Sequence, residues 1–123
     1  MATVGVITVD DDESFRRAAR TVVSSTPGFE QVAEATSAEE AIEAALPLGP
    51  DLVLLAVALP GIDGFETSRR LRSAVPETVV VLVHAGEEPD PQAISASAAA
   101  AVLRKDALTP ATLRALWDEH GEV

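Results

Sequence analysis

Val4-Gly5-Val6-Ile7-Thr8-Val9-Asp10-Asp11-Asp12 is a short β-branched run that stops at three consecutive acids, the pattern of a buried strand opening into a polar loop. Immediately behind it Phe15, Ala18, Ala19, Val22 and Val23 fall at i, i+3, i+4, i+7 and i+8, which is the apolar stripe of one helix face. Strand, acidic loop and amphipathic helix open the chain, and apolar runs alternate with helical stretches along the rest of it. Pro27-Gly28 breaks the helix, and Val32 to Ala35 reads as a short second strand. Ser37-x-x-Glu40 is a capping-box signature ahead of a second helix carrying Ala41, Ala44 and Ala45. Leu52 to Leu55 is a continuous apolar strand, Leu59-Pro60-Gly61 a turn, Gly64 to Ala74 a third helix with a weak apolar stripe, and Val79 to Val83 a fourth strand.

The segment from Glu87 to Ala101 is the hardest to read. Pro89 and Pro91 suit a loop or a first helical turn, and the Ala/Ser stretch behind them lacks large anchors, so a thin or mobile fourth helix is expected there. Ala101 to Leu103 forms a short fifth strand, and Thr109-Pro110 caps a last helix bearing Leu113, Leu116 and Trp117. Five uniformly apolar strands alternating with about five helices predict an α/β fold, a doubly wound parallel sheet covered on both faces.

With 123 residues the chain has the size of one domain, spanning residues 1–123. Twenty acidic residues against nine basic ones leave a net charge of −11, which argues against nucleic acid or an anionic membrane as a partner and favours proteins or cations. There is no cysteine, so disulfides, thiolate nucleophiles and sulfur-ligated metals are excluded. The opening Met1-Ala2-Thr3-Val4 has no basic region and no cleavage pattern; a cytoplasmic location is expected.

In open parallel sheets ligands bind beyond the carboxyl ends of the strands, which here are Asp10 and Asp11, Ala56, His84 and Lys105. Two adjacent carboxylates suit a hard cation such as Mg²⁺. Helix capping by Asp12, Glu13 and Ser14 is an equally good account of the acidic run taken alone. Lys105 is the only lysine among nine basic residues, and a compact ammonium at a strand end fits a pocket that must meet an anion or neutralise a carboxylate pair. No glycine-rich phosphate loop follows any strand, and Gly61-x-x-Gly64 is only a turn.

Val6-Ile7-Thr8-Val9-Asp10-Asp11-Asp12-Glu13-Ser14-Phe15, then Pro50-Asp51-Leu52-Val53-Leu54-Leu55, Leu59-Pro60-Gly61-Ile62-Asp63-Gly64 and Arg104-Lys105-Asp106 together resemble the receiver domain of two-component response regulators, nearly end to end and in order. The resemblance implies a flavodoxin-like receiver fold, with strand order 2-1-3-4-5, and a role in phosphorelay signal transduction. It also implies partners among proteins, either a sensor histidine kinase or an output domain, with homodimerisation as a further option. By the same resemblance Asp10 and Asp11 take the metal-pair role and Lys105 the lysine role. The phosphoacceptor position falls on Ala56, the Thr/Ser position on His84 (on Val83 after a one-residue slip), and the aromatic switch position on Val102.

An alanine methyl cannot attack phosphorus, and losing a carboxylate leaves a cation fewer charged ligands. The expectation is therefore an atypical, non-enzymatic receiver that lacks the phosphoacceptor and binds Mg²⁺ weakly. Two other accounts stand beside it: an engineered Asp→Ala at 56 in an active receiver, and a pseudo-receiver that senses a ligand or pH through His84. A phosphatase reading of Asp10-x-Asp12 fails for want of the later acidic pair such enzymes need, since only Asp106 and Asp118 follow Lys105 as aspartates. Lys105 is expected to touch the Asp10–Asp11 pair directly and offset its repulsion.

Overall fold

A computed structural model describes residues 3–121. Five strands, β1 (Val4–Val9), β2 (Phe29–Ala35), β3 (Leu52–Ala56), β4 (Val79–His84) and β5 (Ala101–Arg104), alternate with α1 (Glu13–Ser24), α2 (Ala38–Leu48), α3 (Gly64–Ala74), α4 (Pro91–Ala96) and α5 (Pro110–His120). Every strand pairing is parallel and the order is β2-β1-β3-β4-β5. The first and last residues, including Met1 of the expected leaderless start, lie outside the described stretch.

Side chains alternate across the strands, so each strand feeds two cores. Val6, Leu52, Leu54, Val81 and Val83 pack with Phe15, Ala19 and Val23 of α1 and Leu113 of α5. Ile7, Val9, Val53, Leu55, Val80 and Leu82 pack on the other face with Ala41 and Ala45 of α2 and Leu71 of α3. The unbroken apolar runs are thus explained by burial on both faces. α2 presents small alanines, which lets it lie close to the sheet. Its Ser37 cap accepts from Glu40 N, but the Glu40 carboxylate reaches Thr36 N and Oγ1 rather than Ser37, so the expected capping box is closed one residue early.

Three sequence expectations need correction. β2 starts at Phe29 rather than Val32, because it is an edge strand whose exposed Glu30 and half-buried Gln31 interrupt the apolar signal; its register with β1 also shifts between Val6 and Ile7. The α1 stripe is narrower than its spacing implies, with Ala18 exposed. β3, β4 and β5 each run one residue further than their apolar cores, to Ala56, His84 and Arg104. The fourth helix is thin as expected: α4 has six residues and buries none of them, so it lacks the roughly 1.5–3 kcal/mol that a single fully buried aliphatic anchor contributes. Its carboxyl end is held instead by Arg69 of α3, which donates to Ala96 O, and by Ser97, which donates to Ile94 O and accepts from Ala99 N.

Candidate functional site at the carboxyl edge of the sheet

The strand ends bring Asp10, Ala56, His84 and Lys105 to one edge. The three consecutive acids divide between two tasks. Asp12 is the α1 N-cap and accepts from Ser14 N at 3.0 Å, as the capping account requires. Asp10 turns inward and is only 1% exposed. Its Oδ1 accepts from Asp12 N at 3.1 Å, and its Oδ2, which no other donor reaches, lies 2.5 Å from the Lys105 ammonium. Asp11 is exposed and, among the described residues, makes no ion pair. The expected lysine contact is therefore present, but with Asp10 alone.

Lys105 can reach Asp10 because β5 ends at Arg104 and the chain tightens into a single 3₁₀ turn, Lys105–Ala107. Its neighbours diverge from it: Arg104 and Asp106 form a two-pronged exposed pair at 3.1 and 2.9 Å. The Arg104 hydrogen bond, aided in a smaller way by the His84 ring, holds the Asp106 carboxyl below the usual aspartate range. The Lys105 ammonium also sits 5.0 Å from the centre of the Phe15 ring, a cation–π distance. Arg16 donates to the Asp10 carbonyl at 2.8 Å and faces Glu34 at 3.4 Å. Sequence reasoning assigned Phe15 to the core and gave Arg16 no role. The available signal was position alone, since the first turn of α1 follows the β1 loop directly.

Ala56 closes β3 at 1% exposure, level with Val83 of β4. The loop after it returns tightly: Gly64 N donates to Val57 O at 2.8 Å. A Cβ on Gly64 would collide with the Ala56 carbonyl oxygen and stand 2.7 Å from Val57 Cα, so the glycine of the Leu59–Gly64 turn is demanded by close backbone approach. Asp63 caps α3 by accepting from Glu66 N at 3.0 Å and is thereby spoken for. His84 ends β4 opposite Arg104, is 6% exposed, and has a buried Nδ1 with no hydrogen-bond partner. Val102 lies within β5, half-buried and paired with Leu82.

Two cavities flank the sheet. The larger, about 430 Å³, lies at the opposite edge beside Pro50, Thr78 and Trp117; its Asp51 carboxylate is already committed to Gly5 N, and it carries none of the strand-end residues. The smaller, about 240 Å³, opens beside His84 and Lys105. Chemistry follows the smaller one. Among the described residues no three His, Cys, Asp or Glu side chains converge as a metal-binding group, and no helix is long and apolar enough to cross a membrane.

Known proteins are similar to this chain in sequence and in fold. Response regulator GacA of Pseudomonas viridiflava is 35% identical over 105 residues, covering 85% of this chain and 49% of that protein. Protein-glutamate methylesterase/protein-glutamine glutaminase 5 of Myxococcus xanthus is 35% identical over 124 residues, covering all of this chain and 35% of that protein. The chain thus spans half or less of the length of these curated relatives. Among solved structures, the signal receiver domain of the putative response regulator NarL from Mycobacterium tuberculosis superposes with a TM-score of 0.83 at 28% identity, covering 96% of both chains. A LuxR-family two-component response regulator from Aurantimonas sp. SI85-9A1 gives 0.83 at 27% identity, covering 96% of this chain and 84% of its own. The model of the response regulator receiver domain matches residues 6–116, from the middle of β1 through most of α5; with the parallel 2-1-3-4-5 sheet, the chain belongs to the response regulator receiver domain family.

Proposed function

We propose that this receiver domain works by protein–protein contact without aspartyl phosphorylation at position 56. The observation that carries the reading is Ala56 itself: the residue closing β3 is a buried methyl, with no lone pair to attack phosphorus. Lys105 supports it, because its charge is already matched by Asp10. The signal then passes through surfaces that meet a sensor kinase, an output domain or a second copy, and the domain itself is not an enzyme. A cytoplasmic location suits those partners.

The residues present fit Mg²⁺ poorly. Asp10 gives one oxygen to Lys105 and the other to Asp12 N, Asp11 is exposed, and the Ala56 side chain has no oxygen to offer. A hard cation that wants six oxygens finds too few charged ones here. Binding is weak and no step runs through the metal.

Incubation with acetyl phosphate and Mg²⁺ followed by intact mass tests the reading. The chain should show no phosphoryl-sized mass increase, while Ala56→Asp should show one and should bind Mg²⁺ more tightly in calorimetry. A phosphoryl adduct on the unsubstituted chain, at Asp11 or elsewhere in the pocket, overturns it.

A further inference from the structure

We propose that Ser73, in the last turn of α3, is a phosphorylation site, modified by a protein kinase that reads arginines and uses a nucleoside triphosphate. This goes beyond the protein–protein reading and does not depend on position 56. Ser73 Oγ attacks the γ-phosphorus, and the Oγ–P bond forms as the bond to the β–γ bridging oxygen breaks. The hydroxyl proton passes to the kinase's own base, and the nucleoside diphosphate leaves.

Arg69-Arg70-Leu71-Arg72-Ser73 is the densest basic run in a chain of net charge −11. Ser73 is exposed, and its hydroxyl takes part in no hydrogen bond among the described residues. Arg69 and Arg70 lie one helical turn before it on the same face, and they share a single carboxylate, Glu66. Arg72 donates to the carbonyls of Pro76 and Thr78 at 2.6 and 2.9 Å. It is the one cation of nine with no carboxylate partner among the described residues. Three arginines against one acid leave α3 a surplus of positive charge, and Glu77, the next acid along, lies past the helix end. A phosphoserine carries about −1.5 to −2 at neutral pH and so matches that surplus. The helix carboxyl end opposes a negative charge, but by less than one charge-assisted hydrogen bond contributes.

Thr21 is the comparison within the same chain. It too is exposed and follows three arginines, Arg16, Arg17 and Arg20. Each of those is paired, however, Arg17 with Glu13 and the other two with Glu34, and the Thr21 hydroxyl already donates to Arg17 O. Unmatched charge and a free hydroxyl set Ser73 apart. The last turn of α3 is also one that a kinase can open, since its C-cap is Val75 rather than a glycine, and Ser73, Ala74 and Pro76 are all exposed.

The same arginines carry the modification to a neighbouring helix. Arg69 Nη1 donates to Ala96 O at 3.2 Å and so holds the carboxyl end of α4, which buries none of its residues. A phosphoryl group on Ser73 competes for that guanidinium. When Arg69 turns to it, the end of α4 keeps only its Ser97 contacts, and the surface that α4 presents is released.

The test treats the folded chain with ATP, Mg²⁺ and the catalytic subunit of cyclic-AMP-dependent protein kinase, an arginine-directed serine kinase, and maps the product by peptide mass. One phosphoryl group should appear, on Ser73. Ser73→Ala should abolish it, and Arg70→Gln should slow it about tenfold, as the loss of one charge-assisted contact predicts. ¹H–¹⁵N spectra of the phosphorylated chain should show the Arg69 and Arg70 Nε–H resonances and the amides of residues 93–97 displaced. Arg69→Gln should displace the same α4 amides without any phosphate. Modification of Thr21 in place of Ser73, an unmodified chain, or a phosphorylated Ser73 that leaves the Arg69 and α4 resonances where they were would each overturn the proposal.

Discussion

Lys105→Met removes a charge while keeping an unbranched stem beside Phe15, and so isolates the ion pair with Asp10. Asp10 is 1% exposed and the Lys105 side chain 22%, so the variant strands a carboxylate in a nearly dry position. Breaking one side of a fully buried pair costs about 3–5 kcal/mol. Two features lower that range here: the lysine end is partly solvated, and Asp10 Oδ1 still accepts from Asp12 N. A loss of about 2–3 kcal/mol follows. For a chain of this length the unfolding entropy converts each kcal/mol into about 4 °C, so the melting temperature in metal-free buffer should fall by about 8–12 °C. Asp10→Asn added to Lys105→Met should recover part of the loss, because the double variant leaves no buried charge unpaired. Mg²⁺ should recover part of it in the single variant by supplying the missing positive charge. An unchanged melting temperature for Lys105→Met, or a double variant as unstable as the single one, would refute the claim that this edge is organised by that charge balance.

Gly64→Ala should cost about 2–3 kcal/mol in urea denaturation, since its Cβ meets the backbone of β3 rather than a side chain that could move; a loss below about 0.5 kcal/mol would show that the β3–α3 loop yields freely. Glu34, held by a two-pronged contact from Arg20 at 2.6 and 2.9 Å, has its carboxyl lowered chiefly by the Arg20 hydrogen bond. Because the folded value is depressed, its contribution is present above the ordinary glutamate range near about 4.3 and disappears as pH falls through the folded value. Urea midpoints between about pH 5 and 3 should therefore fall less steeply for Glu34→Gln than for the unsubstituted chain, and parallel curves would contradict it.

The central strands were legible because burial on both faces removes every polar interruption: Leu52–Leu55 and Val79–Val83 could be nothing else. The edge strand was half hidden for the opposite reason, since an exposed Glu30 and a half-buried Gln31 are tolerated at a sheet edge and carry no strand signal. Caps were readable where one side chain decides them, as at Ser37 and Thr109, whereas the Asp63 cap of α3 was not read from the turn that contains it. The composition of the site was visible at the strand ends, but its wiring was not. Nothing in Asp10-Asp11-Asp12 tells which acid turns inward; that depends on Asp12 being taken as the helix cap and on a 3₁₀ turn delivering Lys105 from ninety-odd residues away.

The charge count at this edge explains why alanine at position 56 goes with a fixed site. Three carboxylates around one ammonium would leave two negative charges in a place where Asp10 is already cut off from water, and such an arrangement needs a divalent cation or protonation to persist. With Ala56 the buried part of the edge holds one carboxylate and one ammonium in contact, and the second acid, Asp11, stays in solvent. The balance is then complete without an ion. Phe15 and Arg16 reinforce it from α1, one beneath the ammonium and the other on the Asp10 carbonyl, so both partners are held from the same helix turn. A receiver domain built this way has its lysine committed from the outset, and under the proposed function a change in the shape of its surface comes from what binds to it rather than from a phosphoryl group bonded at position 56.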